Sequence, residues 1–135
     1  MKTAVRYFSR SGNTKLLAEA IAKGVATQAM SVDEQEATIT EKVDCLFIGG
    51  ALYAYGLDKH LKDYLSKINP SNIGKAVVFS TSWISKHSID LIKKALEEKG
   101  IKVEEQYFYA KNKPTDKELE EAENFANKII HKTDD

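Results

Sequence analysis

At 135 residues the chain has the length of one domain, and an α/β sandwich of that size buries a real core. Apolar residues at 42% and charged residues at 30% give the balance of a soluble globular protein rather than a disordered or membrane-spanning one. The 20 basic residues equal the 20 acidic ones, which excludes a nucleic-acid binder driven by counterion release and leaves no acidic excess to steer a basic partner. The single cysteine, Cys45, excludes an intramolecular disulfide and a multi-cysteine zinc site. Met1-Lys2-Thr3 leads straight into a strand-like run without a secretory pattern. The longest near-apolar stretch, Cys45 to Leu57, is too short and too glycine-rich for membrane insertion. The expectation is a cytoplasmic protein, a monomer or weak dimer.

In chain order, Thr3 to Phe8 reads as a strand that ends in a polar turn, Ser9 to Thr14. Leu16, Leu17, Ala20, Ile21 and Val25 then recur at helical spacing. A short strand follows around Met30 to Val32. Asp44 to Ile48 is a compact apolar run closed by Gly49-Gly50, the pattern of a buried parallel strand. Leu57, Leu61, Leu65 and Ile68 mark a second helix, and Ala76 to Phe79 a second buried strand. Ile89, Ile92 and Leu96 mark a third helix that Gly100 caps. Val103 to Ala110 reads as a half-polar strand near an edge. After Pro114, Thr115 with Glu118 forms a capping box, and Leu119, Ala122, Phe125, Ala126 and Ile129 make the stripe of a final helix. Strands alternate with helices throughout, which implies a doubly wound parallel sheet with helices on both faces. In such a sheet ligands bind outside the carboxyl ends of the strands.

The loop after the first strand reads Ser9-Arg10-Ser11-Gly12-Asn13-Thr14. It opens a helix, where unpaired N–H groups and the helix dipole favour an anion. Gly12 lets the backbone curl toward a ligand, and three hydroxyls with one amide donate without adding charge. That donor set suits a phosphate monoester. The loop lacks the Gly-Lys pair of a Walker A motif and the three glycines of a dinucleotide fingerprint. The same residues would also serve as a plain N-cap and turn. Set after a strand and before a helix in the first unit, Tyr7-Phe8-Ser9-Arg10-Ser11-Gly12-Asn13-Thr14 resembles the phosphate-binding loop of flavodoxins. Ser9, Ser11, Gly12 and Thr14 fill that family's four defined positions.

The resemblance extends to two further loops and to the order of elements from Met1 to about Ile130. Gly49 to Gly56, with Ala51, Leu52, Tyr53, Ala54 and Tyr55, is similar to the flavodoxin loop beside the isoalloxazine ring. Tyr53 or Tyr55 would cover a ring face, and Gly56 or a neighbouring peptide would turn a carbonyl to the flavin. Ser80, Thr81, Ser82 and Trp83 resemble the later loop whose aromatic residue stacks on flavin. The resemblance implies one flavodoxin-like domain over residues 1–135, a five-stranded sheet in the order 2-1-3-4-5, and non-covalent FMN. It implies electron transfer with a redox partner protein or a small acceptor.

The chain departs from that pattern in two ways. Dedicated electron carriers of the family are strongly acidic, whereas this chain is neutral. Their later loop carries acidic residues, whereas here Lys86 and His87 follow, either near the flavin or on a solvated helix start. Arg6 in a central strand awaits either an acidic partner or a place at the end of the helix layer. His60 and His131 lack ligand spacing, and Cys45 reads as a small core residue. Two other functions stay open: an FMN-dependent NAD(P)H reductase of quinones or similar acceptors, and a flavin-free domain that binds a partner. A phosphorylation receiver would need acids where Ser9, Arg10, Gly49 and Gly50 stand, and a low-molecular-weight phosphatase would need a cysteine in the first loop.

Overall fold

The computed structural model describes residues 1–53, 56–83 and 85–132. Among the described residues the chain forms seven strands and four α-helices. These are β1 (Thr3–Tyr7), α1 (Asn13–Gly24), β2 (Ala29–Ser31), β3 (Val43–Gly50), β4 (Leu52–Tyr53), β5 (Gly56–Leu57), α2 (Lys59–Lys67), β6 (Ile73–Thr81), α3 (His87–Glu98), β7 (Phe108–Ala110) and α4 (Asp116–His131). Five of the strands form one parallel sheet in the order β2-β1-β3-β6-β7, the flavodoxin-like 2-1-3-4-5 arrangement. The remaining pair, β4 and β5, makes a small antiparallel hairpin between β3 and α2.

The sheet divides the apolar side chains by the period of two that a strand imposes. Val5, Cys45, Phe47, Val77 and Phe79 face α1 and α4, packing on Leu17, Ile21, Ala122 and Ala126. Ala4, Leu46, Ile48, Ala76 and Val78 face α2 and α3, packing on Leu61, Leu65, Ile92 and Leu96. The central strands are therefore apolar on both faces, which is why they read as continuous apolar runs. Gly49 and Gly50 extend β3 because neighbours occupy the space a side chain would need. A Cβ on Gly49 would lie 2.4 Å from the Phe79 ring, and one on Gly50 2.5 Å from Leu61.

The helix ends follow local chemistry. Thr115 accepts the Glu118 N–H at 3.1 Å while Glu118 accepts the Thr115 N–H at 3.0 Å, the expected capping box. Gly100, at φ +84°, ends α3: its N–H donates to Glu97 and that of Ile101 to Leu96, closing a Schellman motif.

Two expectations are corrected. Leu57 belongs to β5, and α2 begins at Lys59, because the side chain of Asp58 accepts the His60 N–H and fixes the helix start there. The edge strand covers only Phe108–Ala110, preceded by a lone bridge between Val103 and Ala76. Two extra residues bulge out between the Ala76–Val103 and Phe79–Phe108 pairings. They are accommodated where Glu104, Glu105 and Gln106 prefer solvent and ion pairing to a core, and Glu104 binds Lys75 at 3.0 Å. Among the described residues Arg6 has no acidic partner: Nε donates to the Ala37 carbonyl at 2.8 Å and Nη1 to that of Val5 at 3.1 Å. Among the described residues no helix is long and apolar enough to cross a membrane.

Candidate functional site

The carboxyl ends of β1, β3, β6 and β7 converge on one edge, and their loops interlock there. Phe8 and Val32 join the sheet ladder just beyond β1 and β2, so the first loop leaves from a fixed point. Gly12 is the N-cap of α1 with φ +97°, a left-handed conformation that glycine adopts at no steric cost. Its N–H donates to Ser9 Oγ at 3.0 Å, and its carbonyl accepts the first helical bond, from Leu16, at 3.1 Å. Gly12 brings no side chain to cap the helix, the Asn13 N–H reaches Ser11 Oγ only at 3.5 Å, and the first turn holds no acidic residue. The start of α1 thus presents N–H groups and the positive end of the helix dipole, with Ser9, Ser11 and Asn13 around it.

Thr14 is buried at 1% exposure and its hydroxyl lies 2.6 Å from that of Thr81 at the end of β6. Asn13 Nδ2 donates to Asn112 Oδ1 at 3.4 Å, reaching the loop after β7. Two independent contacts therefore hold the helix start against the neighbouring strand ends. The carboxyl terminus of β6 is anchored in the same way. Ser80 is fully buried, its hydroxyl 2.5 Å from both the Gly50 carbonyl and Ser88 Oγ. Ser80 and Thr81 belong to β6 rather than to a loop, and their hydroxyls brace the sheet end. Ser82 is tied by its backbone: its N–H donates to Ala110, and its carbonyl accepts the Asn112 N–H and the Tyr109 hydroxyl, the last at 2.7 Å. Trp83, one residue on, is 67% exposed.

On the other flank stands the hairpin that carries Ala51, Leu52, Tyr53 and Gly56, all half-buried. Ala54 and Tyr55 lie outside the described residues. The Tyr53 hydroxyl accepts the Arg10 N–H at 3.1 Å, and the Arg10 guanidinium lies 3.9 Å from the centre of the Tyr53 ring. One face of Tyr53 is thus covered by Arg10. The guanidinium is aimed by Asp58, whose Oδ2 takes Nε and Nη2 at 2.7 Å each. The other oxygen of Asp58 takes the His60 N–H at 2.7 Å and lies 2.9 Å from its Nδ1, and the His60 ring stacks on Phe8 at 4.6 Å. Burial pushes the Asp58 carboxyl up, but the hydrogen bonds from His60 and Arg10 outweigh it and hold the group below its ordinary value. Asp58 is therefore a carboxylate at neutral pH that binds the first loop to the hairpin.

Sequence reasoning singled out Arg10 but not Asp58, Asn112 or Tyr109. Asp58 is legible as a helix cap before Lys59; its partner 48 positions away is not. Cys45 is fully buried and its thiol is pushed up to about 12, chiefly by burial, so it is no nucleophile at neutral pH. Among the described residues no cluster of three or more His, Cys, Asp or Glu could hold a metal.

A family model for the flavodoxin domain matches residues 4–130. The chain belongs to the flavodoxin family. Solved structures agree on the fold. A flavodoxin from the domain Archaea superposes with a TM-score of 0.84 at 25% identity, covering 98% of each chain. Oxidised Flavodoxin 1 from Bacillus cereus gives 0.77 at 22% identity, covering 97% of this chain and 98% of that one. The rubredoxin oxygen:oxidoreductase of Desulfovibrio gigas gives 0.84 at 18% identity; the match covers 97% of this chain but 35% of the longer enzyme. No curated protein sequence matches the chain.

Proposed function

We propose that this flavodoxin-family chain binds FMN non-covalently at the carboxyl edge of its sheet and works in electron transfer with a redox partner. The observation that carries the reading is the uncapped start of α1, with Gly12 left-handed and hydroxyl and amide side chains around it. This donor set fits a phosphate monoester, which takes several hydrogen bonds and gains from the helix dipole. Ser9, Ser11, Gly12, Asn13 and Thr14 would hold the phosphate, Thr14 through its N–H because its hydroxyl is turned to Thr81. Arg10 is engaged by Asp58 and Tyr53, so it shapes the loop, and the Arg10–Asp58 pair adds no net charge beside the anion.

Tyr53 is half-buried with Arg10 on one face, and Trp83 is largely exposed; both are flat apolar surfaces beside the first loop that a flavin would meet. The hairpin around Gly56 would supply the backbone group beside the ring. Bound FMN supplies one- and two-electron chemistry. The chain's own residues bind it, orient it and set the local charge. A soluble cytoplasmic setting is part of the same proposal.

The test is a titration of the purified chain with FMN and, as control, riboflavin, followed by absorbance and fluorescence. Tight FMN binding with quenching, and much weaker riboflavin binding, is the expected result. Equal affinity for both would remove the phosphate role of the first loop, and binding of neither would remove the flavin. Turnover with NAD(P)H by the loaded protein would make it a reductase rather than a carrier.

A further inference from the structure

The carboxyl edge is unevenly charged. The loops that follow β1, β3, β6 and β7 span residues 8–12, 51–58, 82–86 and 111–115. They contain Arg10, Lys86, Lys111 and Lys113 against a single carboxylate, Asp58, which Arg10 already engages. Beside β2 the sign reverses, where Asp33 and Glu34 follow the strand. The neutral total thus hides a cationic corner beside β6 and β7 and an acidic one beside β2.

Aromatic rings organise the cationic corner. Lys86 Nζ lies 5.5 Å from the Tyr107 ring and 5.6 Å from the Tyr109 ring, and Lys93 Nζ 5.9 Å from Tyr107. Lys111 Nζ lies 5.6 Å from the ring of Trp83. Among the described residues none of Lys86, Lys93, Lys111 and Lys113 forms an ion pair. Asp90, Asp116 and Glu118 stand in the first turns of α3 and α4, and Glu118 is occupied by the Thr115 cap. Trp83 and Tyr107 are two of the three large apolar side chains exposed among the described residues, at 67% and 37%. Lys86 Nζ also donates to the Tyr107 hydroxyl at 3.4 Å, and neither this bond nor the nearby rings neutralise the ammonium charge. Exposed aromatic anchors ringed by unpaired cations are the composition of a binding surface.

We propose that this corner is where the electron-transfer partner docks, and that the partner presents an acidic patch to it. The inference rests on the redox reading above and adds the sign of the partner's surface. Local positive charge accelerates encounter with an acidic face and disfavours a basic one, even on a chain with no net charge. Trp83 stands in this corner at the end of β6, so docking here brings the partner to the candidate flavin edge. A second copy could offer its own acidic corner instead, and the test separates that outcome.

The probes are an acidic [2Fe–2S] ferredoxin and a basic c-type cytochrome, each titrated into the isotope-labelled full chain with and without FMN. At about 20 mM salt the ferredoxin should shift the Trp83 indole and the Lys86, Lys111 and Lys113 amides, and at about 200 mM most of that binding should be lost. The Lys86→Glu/Lys111→Glu/Lys113→Glu variant should weaken ferredoxin binding by about tenfold or more, and the Lys128→Glu control, on the last turn of α4, by less than about twofold. Preferential binding of the cytochrome at this corner, an equal loss in the control, or salt independence would each overturn the proposal. So would concentration-dependent shifts of the same residues in the chain alone, which would make a second copy the occupant. Docking is also read without flavin. Failure of the wild type to bind FMN would therefore overturn the redox reading, while the charge test would still report.

Discussion

Asp58 is the side chain whose removal should be felt most widely at the carboxyl edge. Its side chain is 6% exposed, and it both caps α2 and binds the Arg10 guanidinium from the first loop. Loss of an Asp cap costs about 1 kcal/mol. The Arg10 pair is charge-assisted but its arginine side chain is 56% exposed, so screening reduces its worth to about 1 kcal/mol. Asp58→Ala should therefore cost about 2 kcal/mol. Asp58→Asn keeps an oxygen for the His60 N–H and should lose only the ionic part, about 1 kcal/mol. For a domain of this size the two variants should unfold about 6 °C and about 3 °C below the wild type. Circular dichroism with urea or heat gives the numbers, and Arg10→Gln in the Asp58→Asn background gives the coupling. If Asp58→Asn costs as much as Asp58→Ala, or if Arg10→Gln is additive with it, the two-part account fails. The pH dependence has a definite sign. The carboxyl is held below its ordinary value of 3.8 in the folded chain, so its contribution is present above that pH. The contribution is lost as the pH falls through the lower folded value, and neutral-pH stability should not change with it.

Three more outcomes are expected. Ser11→Asp, at an exposed position of the first loop, should abolish FMN binding while leaving the melting temperature within a few degrees, about 3 °C. Thr14→Asp should abolish it too but also destabilise, because Thr14 is buried against Thr81; normal FMN affinity in Ser11→Asp would end the phosphate assignment. Gly12→Ala meets no described neighbour within 4 Å of its new Cβ, so its expected cost is backbone strain, about 1–2 kcal/mol at φ +97°. Urea midpoints measure that cost, and a much larger loss would mean the loop packs more tightly than it does here. Cys45 should resist iodoacetamide at pH 8 in the native chain and react only on unfolding, since its thiol is pushed up to about 12.

By itself the sequence determined the elements that depend on near neighbours. Apolar runs from Asp44 and Ala76 read as buried strands because both faces of a central parallel strand are covered. The Thr115–Glu118 box and the Gly100 cap read correctly because their hydrogen bonds close within a few residues. The Ser9–Thr14 loop stood out because helix-start chemistry is local, and its kinship to flavodoxins agrees with a family match over residues 4–130. Tertiary structure decided what long-range contacts decide. The pairing of Arg10 with Asp58, which covers one face of Tyr53, joins loops far apart in the chain. Ser80 and Thr81, readable as loop donors, are turned inward because β6 runs on to meet Gly50, Ser88 and Thr14. The edge strand shortens because Glu104 finds Lys75, a partner 29 residues away. Composition gave a net charge of zero, and only the fold could separate that zero into a cationic corner at Trp83 and an acidic one beside β2, because charge adds along a chain but acts through space.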